Sequence, residues 1–344
     1  MSHDYLVTGG AGFIGSNYVA RLLARGEQVI IYDNLSRAGA VLNLKWLTDT
    51  YGKESFKLIE GDVRDADLIS KVVQNADVIV HLAGQVAVTT SVIQPRYDFE
   101  SNAVGTFNLL EGARLSGRYP IVIYASTNKV YGGMEDIAVV EEENSYRYAE
   151  LPLGVSESFT LDFHSPYGCS KGTGDQYVRD YFRIYGLPTV VLRQSCIYGP
   201  RQFGIEDQGW LAWMVIAACT DRPITIYGNG KQVRDVLHVN DLMDGFDKAI
   251  QQIDIAAGQV FNIGGGPENT LSIWREFGPL LEELVDHKIV VSWDEWRPGD
   301  QHVYISDIRK INRELNWKPQ ISIQEGIRDL YSWVQRNPNL FEEM

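Results

Sequence analysis

Tyr167 and Lys171 stand four residues apart in the run Pro166-Tyr167-Gly168-Cys169-Ser170-Lys171, and the proline at its head marks a helix start. Residues at that spacing share one helical face, so the ammonium can lower the phenol's pKa and also reach a neighbouring hydroxyl. A tyrosine so placed is equipped as a general base. Upstream, the apolar run Pro120–Ala125 ends on Ser126-Thr127-Asn128, which brings hydroxyls to the end of a strand. Tyr227 and Lys231 repeat the spacing, but Gly228-Asn229-Gly230 between them is a turn that would not hold both side chains on one face.

A second chemical pattern lies at the start of the chain. Thr8-Gly9-Gly10-Ala11-Gly12-Phe13-Ile14-Gly15 directly follows the apolar Tyr5-Leu6-Val7, which reads as a strand, a tight turn and a helix N-terminus. Gly9 and Gly12 permit the turn and the close approach of backbone to a pyrophosphate. Gly15 lets the helix pack on the strand, and the helix's free N–H groups and dipole favour the anion. The strand Gln28–Tyr32 then ends on Asp33, 18 residues past Gly15. That is close to the ~20 expected of a carboxylate that accepts from a ribose 2′-hydroxyl.

These groups need a frame, and the first half of the chain supplies one. A helix Ser16–Arg25, a helix Ala40–Tyr51, a strand Phe56–Glu60, a helix Ala66–Gln74, a strand Asp77–Leu82, a long helix Tyr97–Ser116 and a strand Pro120–Ala125 follow in alternation. Continuous apolar strands separated by helices predict a parallel sheet covered on both faces: α/β, a doubly wound Rossmann sheet. At 344 residues two domains are expected. We divide the chain into a dinucleotide-binding domain, 1–194 with 232–262, and a smaller α/β substrate-binding domain, 195–231 with 263–344. The stretch around Glu141-Glu142-Glu143 reads as a solvated surface excursion whose end, Leu161–Ser165, runs into the helix bearing Tyr167.

A net charge of −14 argues against nucleic acid or an anionic membrane as partner. The longest apolar stretch, Leu211–Cys219, is too short to span a bilayer. No basic region or cleavage site precedes the first strand, so no export signal is visible, and Cys169, Cys196 and Cys219 form no disulfide framework or Cys-x-x-Cys pair. A cytoplasmic protein is expected. The six histidines are scattered, and no metal is expected.

Over essentially its whole length the chain resembles the extended short-chain dehydrogenase/reductase family. The resemblance rests on the glycine run, Asp33, Asp62-Val63, His81-Leu82-Ala83-Gly84, Asn102, Ser126-Thr127, Tyr167-x-x-x-Lys171, Tyr198–Gln202, Arg234-Asp235 and Arg297-Pro298-Gly299-Asp300, all in the family's order. It implies bound NAD, Tyr167 as acid/base, Thr127 hydrogen-bonding the reacting hydroxyl and Lys171 on the nicotinamide ribose. By the same resemblance Phe13, Ile14, Asn34, Ser36, Arg37, Asp62, Val63, Leu82, Ala83, Gly84, Asn102 and Ser126 join Gly9, Gly12, Gly15 and Asp33 around the cofactor. Arg234 and Arg297 would grip a nucleotide diphosphate, as the bidentate fit of guanidinium to phosphate allows. Gln85, Asn128, His164, Ser195, Gln208, Trp210 and Tyr227 complete the expected contacts to a nucleotide-diphosphate sugar.

Departures from the family pattern narrow the reaction. Nucleotide-sugar 4,6-dehydratases of the family carry an Asp-Glu pair after the strand-end threonine; here Asn128 and Lys129 stand there, and they cannot act as that acid and base. The Asn common before the Tyr-Gly-Pro turn is replaced within Gln194-Ser195-Cys196, so sugar or pyrophosphate is held differently. The runs Asp33–Arg37, His81–Ala87, Ser126–Gly132, Asp162–Gly172, Asp207–Trp210 and Gly228–His238 resemble the family's CDP-sugar 2-epimerases. The implied reaction is epimerisation through transient oxidation at C2, with a UDP- or GDP-sugar 4-epimerase as the alternative. The family also forms dimers through helices near Asn102–Ser116 and Pro166–Tyr185, so a homo-oligomer, at least a dimer, is expected.

Overall fold

The computed structural model describes residues 3–297 and 300–342; Pro298 and Gly299 of the Arg297–Asp300 motif lie outside the described residues. Seven strands form one parallel sheet: β1 (Asp4–Thr8), β2 (Gln28–Asp33), β3 (Lys57–Glu60), β4 (Val78–His81), β5 (Ile121–Thr127), β6 (Thr189–Gln194) and β7 (Val260–Ile263). Their spatial order is β3-β2-β1-β4-β5-β6-β7. Leu6 of β1 is in register with Ile30 on one side and Ile79 on the other.

The sheet is apolar on both faces because both are covered. Val7 points into a core with Tyr18, Val19, Ile31 and Phe246, whereas Leu6, its neighbour in sequence, joins Tyr32, Val63, Ile79 and Leu109 beneath the other face. The strand order reverses between β1 and β4, and a crevice opens at their carboxyl ends where ligands of doubly wound sheets bind. Gly9 follows β1 into that crevice, and Leu82-Ala83-Gly84 follows β4.

The continuous helix expected over Tyr97–Ser116 is in fact three pieces. An α-helix Pro95–Phe99 passes through a π-helical turn, Glu100–Val104, into an α-helix Gly105–Leu115. Apolar spacing does not reveal the extra residue of a π turn, and such turns gather at functional sites. The helix bearing Tyr167 and Lys171 runs Ser165–Tyr185, with Pro166 in its first turn.

The second lobe has its own core. The strand Val233–His238 pairs in parallel with Cys196–Tyr198 and Val303–Tyr304 and antiparallel with Thr270–Ser272, while Ile224–Tyr227 pairs with Val291–Asp294. The apolar helix Trp210–Cys219 lies buried with Phe277, Leu330 and Trp333. The acidic excursion is no free loop. Val139–Glu141 and Tyr146–Tyr148 form a hairpin whose tyrosines pack with Val130 and Tyr304, and Lys231 Nζ donates to Glu141 at 2.7 Å. The excursion is pinned because every second residue of its return strand is a buried ring. No described helix is long and apolar enough to cross a membrane.

Candidate active site

The floor of the crevice is the glycine turn. Gly9 has φ +70°, and a Cβ there would lie 2.8 Å from Ala83 N; a Cβ on Gly15 would lie 2.1 Å from Gly9 O. Only glycine lets the turn close and the helix Phe13–Ala24 start against it. Asp33 ends β2 with its carboxylate fixed by two backbone donors, Ala11 N at 3.0 Å and Leu35 N at 2.8 Å. Burial holds its pKa above the ordinary value, although those two bonds and nearby Arg37 pull it down. On the same side Asn34 donates to Asp62 at 2.9 Å and accepts from Ser36.

Phe13, Ile14, Val63, Leu82, Ala83, Gly84 and Ser126 complete one continuous cleft with Gly9, Gly12, Gly15, Asp33, Asn34, Ser36, Arg37, Asp62, Tyr167 and Lys171. Gln85 and Gln208, expected at the substrate, also line it. Asn102 does not. It sits behind the wall, donating to Gln85 O at 3.0 Å and Asp98 Oδ1 at 2.9 Å, so it holds the loop after Gly84 instead of facing the cleft. Gln194, from the segment that departs from the family pattern, lines it too, as do Tyr32, Gly61, Tyr97, Ser101 and Ala125, which the motifs do not mark. Tyr97 and Ser101, four apart where the π turn begins, carry the one local signal that could have found them.

Tyr167 and Lys171 face the cleft from one side of their helix, as the spacing predicts. The electrostatics differ from the expected lysine–phenol pair. Burial pushes the Tyr167 phenol up to about 12; its hydrogen bond with Thr127 and the Arg37 guanidinium act downward, and Asp98 acts upward. The Lys171 ammonium is directed elsewhere: Nζ donates to Ala125 O at 2.6 Å and lies 4.4 Å from the centre of the Tyr124 ring. Burial pulls it down to about 8. Beneath it His81 lies between Thr8 and Thr106, driven down to about 3 by burial and by the Lys171 charge, so it stays neutral. Ser126 Oγ donates to the buried Asp175 at 2.7 Å.

Thr127 ends β5 and Asn128 follows it at the mouth toward the second lobe, both buried. Lys129 beside them is an enclosed ammonium. Its Nζ donates to Gln301 at 3.3 Å, and burial, with Arg234 nearby, lowers its pKa to about 8. Arg234 donates to Asp300 at 2.6 Å. Arg297 stacks 3.9 Å from the centre of the Tyr227 ring and pairs with Asp207, while the Tyr227 hydroxyl donates to Glu206. The other expected substrate contacts are more scattered. The Ser195 hydroxyl donates to Asp235, His164 is exposed at the N-cap of the Tyr167 helix, and Trp210 packs edge-on against Phe277. Gln208 reaches back from the second lobe to hydrogen-bond the Arg37 guanidinium beside Asp33.

Residues 6–330 match the family described as GDP-mannose 4,6 dehydratase. The chain belongs to that family, among the extended short-chain dehydrogenases/reductases. It is similar to CDP-paratose 2-epimerase of Salmonella typhi, 44% identical over 336 residues that cover 96% of this chain and 98% of the other. Among solved structures it resembles the dTDP-glucose 4,6-dehydratase DesIV of Streptomyces venezuelae, solved with NAD bound, at TM-score 0.84 and 31% identity over 99% of both chains. It also resembles the UDP-glucose 4-epimerase of Thermotoga maritima, solved with UDP-glucose, at TM-score 0.82 and 28% identity over 97% of this chain and 99% of the other. Family membership alone does not choose between elimination and epimerisation. The residues after Thr127 bear on that choice, and here they are an amide and an ammonium.

Proposed function

We propose that this chain is an NAD-dependent nucleotide-sugar 2-epimerase, with a CDP-sugar as substrate and a homodimer as its smallest assembly, working in the cytoplasm. The observation that carries the reading is Asn128-Lys129: it lacks the acid pair that elimination requires, in a chain 44% identical over nearly its full length to a CDP-sugar 2-epimerase. The cleft fits the cofactor. A glycine turn that no Cβ could enter would cradle its pyrophosphate, and Asp33, fixed by two backbone N–H groups, would accept from the adenosine ribose. The same carboxylate would meet a 2′-phosphate as like charge, so NAD is preferred to NADP. When bound, NAD supplies a hydride acceptor and, once reduced, a donor.

The chain's own groups do the rest. Tyr167 takes the proton of the C2 hydroxyl as C2 is oxidised and returns it after the sugar has turned. Thr127, hydrogen-bonded to the phenol, steadies the same hydroxyl. The phenol at about 12 needs cationic help to act as a base near neutrality; Arg37 supplies some, and the positive charge of an oxidised nicotinamide acts in the same direction. Arg234 and Arg297 would hold the diphosphate while the sugar is held loosely, so that the 2-keto intermediate presents its other face without leaving. C2 adjoins the anomeric carbon, so pivoting on the phosphate linkage exchanges faces there with a short displacement.

CDP-glucose deuterated at C2 tests this. A primary isotope effect is expected, with mannose in the product sugar and the label retained at C2; in heavy water no solvent deuterium should appear there. Solvent deuterium at C2 would exclude the hydride route, and an isotope effect confined to C4-deuterated substrate would assign a 4-epimerase.

A further inference from the structure

A second cavity lies beyond the last strand of the sheet, away from the cofactor cleft and sharing no lining residue with it. It encloses about 530 Å³, within the ~300–1,000 Å³ range of small-molecule sites. Five elements wall it: the loop Ser156–Ser158, Arg179 on the Tyr167 helix, Arg193 on β6, the turn into β7 at Gly258-Gln259-Val260, and the helix Arg309–Leu315 with the residues before it. Five cations line it, Arg179, Arg193, Arg309, Lys310 and Arg313, against two carboxylates, Glu157 and Asp307. That is an unusual concentration of positive charge on a chain of net charge −14.

The charges do not cancel evenly. Arg193 is neutralised from behind by the buried Asp175, which takes two of its N–H groups at 2.9 Å, and Arg309 is clamped by Asp307. Exposed Arg313 pairs with half-buried Glu314 at the rim. Glu157 turns one oxygen to Asn262 N at 2.7 Å, and burial raises its pKa. Two cations remain without a paired acid. Among the described residues Lys310 donates only to neutral oxygens, Gln259 Oε1 at 3.1 Å and Val260 O at 2.8 Å, and Arg179 makes neither ion pair nor hydrogen bond. Burial lowers the pKa of both. On Arg179 repulsion from Arg183 and Arg193 adds to it, with Asp175 acting the other way; on Lys310 the charges of Glu157 and Glu314 oppose it ahead of the repulsion from Arg179 and Arg313.

We propose that this cavity is a second anion site, built for a compact phosphorylated molecule held by Arg179, Lys310 and Arg313. Guanidinium forks on two helices and an ammonium between them match phosphoryl oxygens, and the hydroxyls of Ser156 and Ser158 stand at the wall as further donors. No aromatic ring lines the cavity, so nothing there would stack on a nucleobase. The chemistry is that of phosphate groups: inorganic pyrophosphate or a sugar phosphate, not a second nucleotide sugar.

Calorimetric titration of the NAD-loaded enzyme with inorganic pyrophosphate, and separately with glucose 1-phosphate, tests this and separates the two sources. Pyrophosphate should bind in the micromolar to low millimolar range with CDP present in excess, and Arg179→Gln with Arg313→Gln should weaken it at least tenfold. Turnover without added anion should stay unchanged, because neither arginine lines the cofactor cleft. Tight binding of glucose 1-phosphate alone would assign the sugar phosphate as ligand. Absence of binding by either, or binding that the double substitution leaves intact, would overturn the site. Lys310→Gln keeps the test open if the double variant is unstable.

Discussion

Lys129 and Lys171 are both enclosed ammonium groups near pKa 8, but their surroundings ask different things of them. Lys171 has a carbonyl at 2.6 Å and an aromatic face beneath it, with Asp175 and Asp98 favouring its charge. Lys129 has a 3.3 Å contact to Gln301 and the like charge of Arg234, with Asp300 as the nearest compensation. Two cations behind one carboxylate suit an arriving diphosphate and strain the free protein. Lys129→Met should therefore stabilise the free enzyme at pH 7 by about 1–2 kcal/mol while raising KM for the nucleotide sugar. The sign follows from linkage. The folded pKa of about 8 lies below the ordinary 10.5, so between those values the unfolded chain binds more protons and wild-type stability rises with pH. The Met variant's advantage should close over the same interval. Thermal melts at pH 7 and pH 10 check it, and a Met variant less stable than wild type at pH 7 would show that Lys129 is a structural anchor.

At the scale of elements, the cofactor cleft is closed by a strap from the second lobe. Gln208, in the turn Ile205–Gln208 ahead of the helix Trp210–Cys219, reaches Arg37 just after β2. Because both residues line the cleft, their link crosses where the adenosine end of the cofactor would lie, and breaking it should ease release. Arg37→Ala or Gln208→Ala should lower the NAD content of the purified protein several-fold with the fold intact, read as nucleotide released on denaturation against circular dichroism. Unchanged NAD content would make the link incidental. This strap also marks where sequence reading stops. The glycine turn, Asp33, the strands β1–β5 and the Tyr167–Lys171 face are written in local spacing, and local spacing suffices to find them. Arg37 and Gln208 are 171 residues apart, so no periodicity joins them. The π turn over Glu100–Val104 escaped for a related reason: one added residue leaves the apolar pattern looking like a continuous helix while it turns Asn102 from the cleft to the loop behind it. Ser195 stands where the family's usual Asn is replaced, and the donation of its hydroxyl to buried Asp235 on the neighbouring strand is a contact that local spacing does not show.

For the whole molecule, the feature left unaccounted for is an apolar strip on the outside of the first lobe. Phe107 and Leu115 on the helix Gly105–Leu115, and Tyr177, Phe182, Ile184 and Tyr185 on the helix Ser165–Tyr185, are all exposed, with Ile184 and Leu115 at 65% and 64%. Isolated exposed apolar side chains are ordinary, but here two adjacent helices present them together, and Phe107 meets Tyr177 edge to face at 5.7 Å between ring centres. Pairing two such helices with the same two of a second copy would give a closed, two-fold four-helix contact that covers the strip. The charge of −14 makes an accidental association of copies unfavourable, so a dimer has to come from apolar burial on a defined face. We expect sedimentation at micromolar concentration to give about twice the 38.8 kDa chain mass. Phe107→Glu, which puts a charge into the apolar strip on both copies, should shift the protein to monomer. Val290→Glu is the control: that residue is 91% exposed and lies off the strip, so the dimer should survive it. A wild-type monomer at that concentration, or equal dissociation by both substitutions, would reject this face as the interface. The helix Ser165–Tyr185 carries Tyr167 and Lys171 on its inner side, so dimerisation would buttress from outside the element that positions the reacting groups.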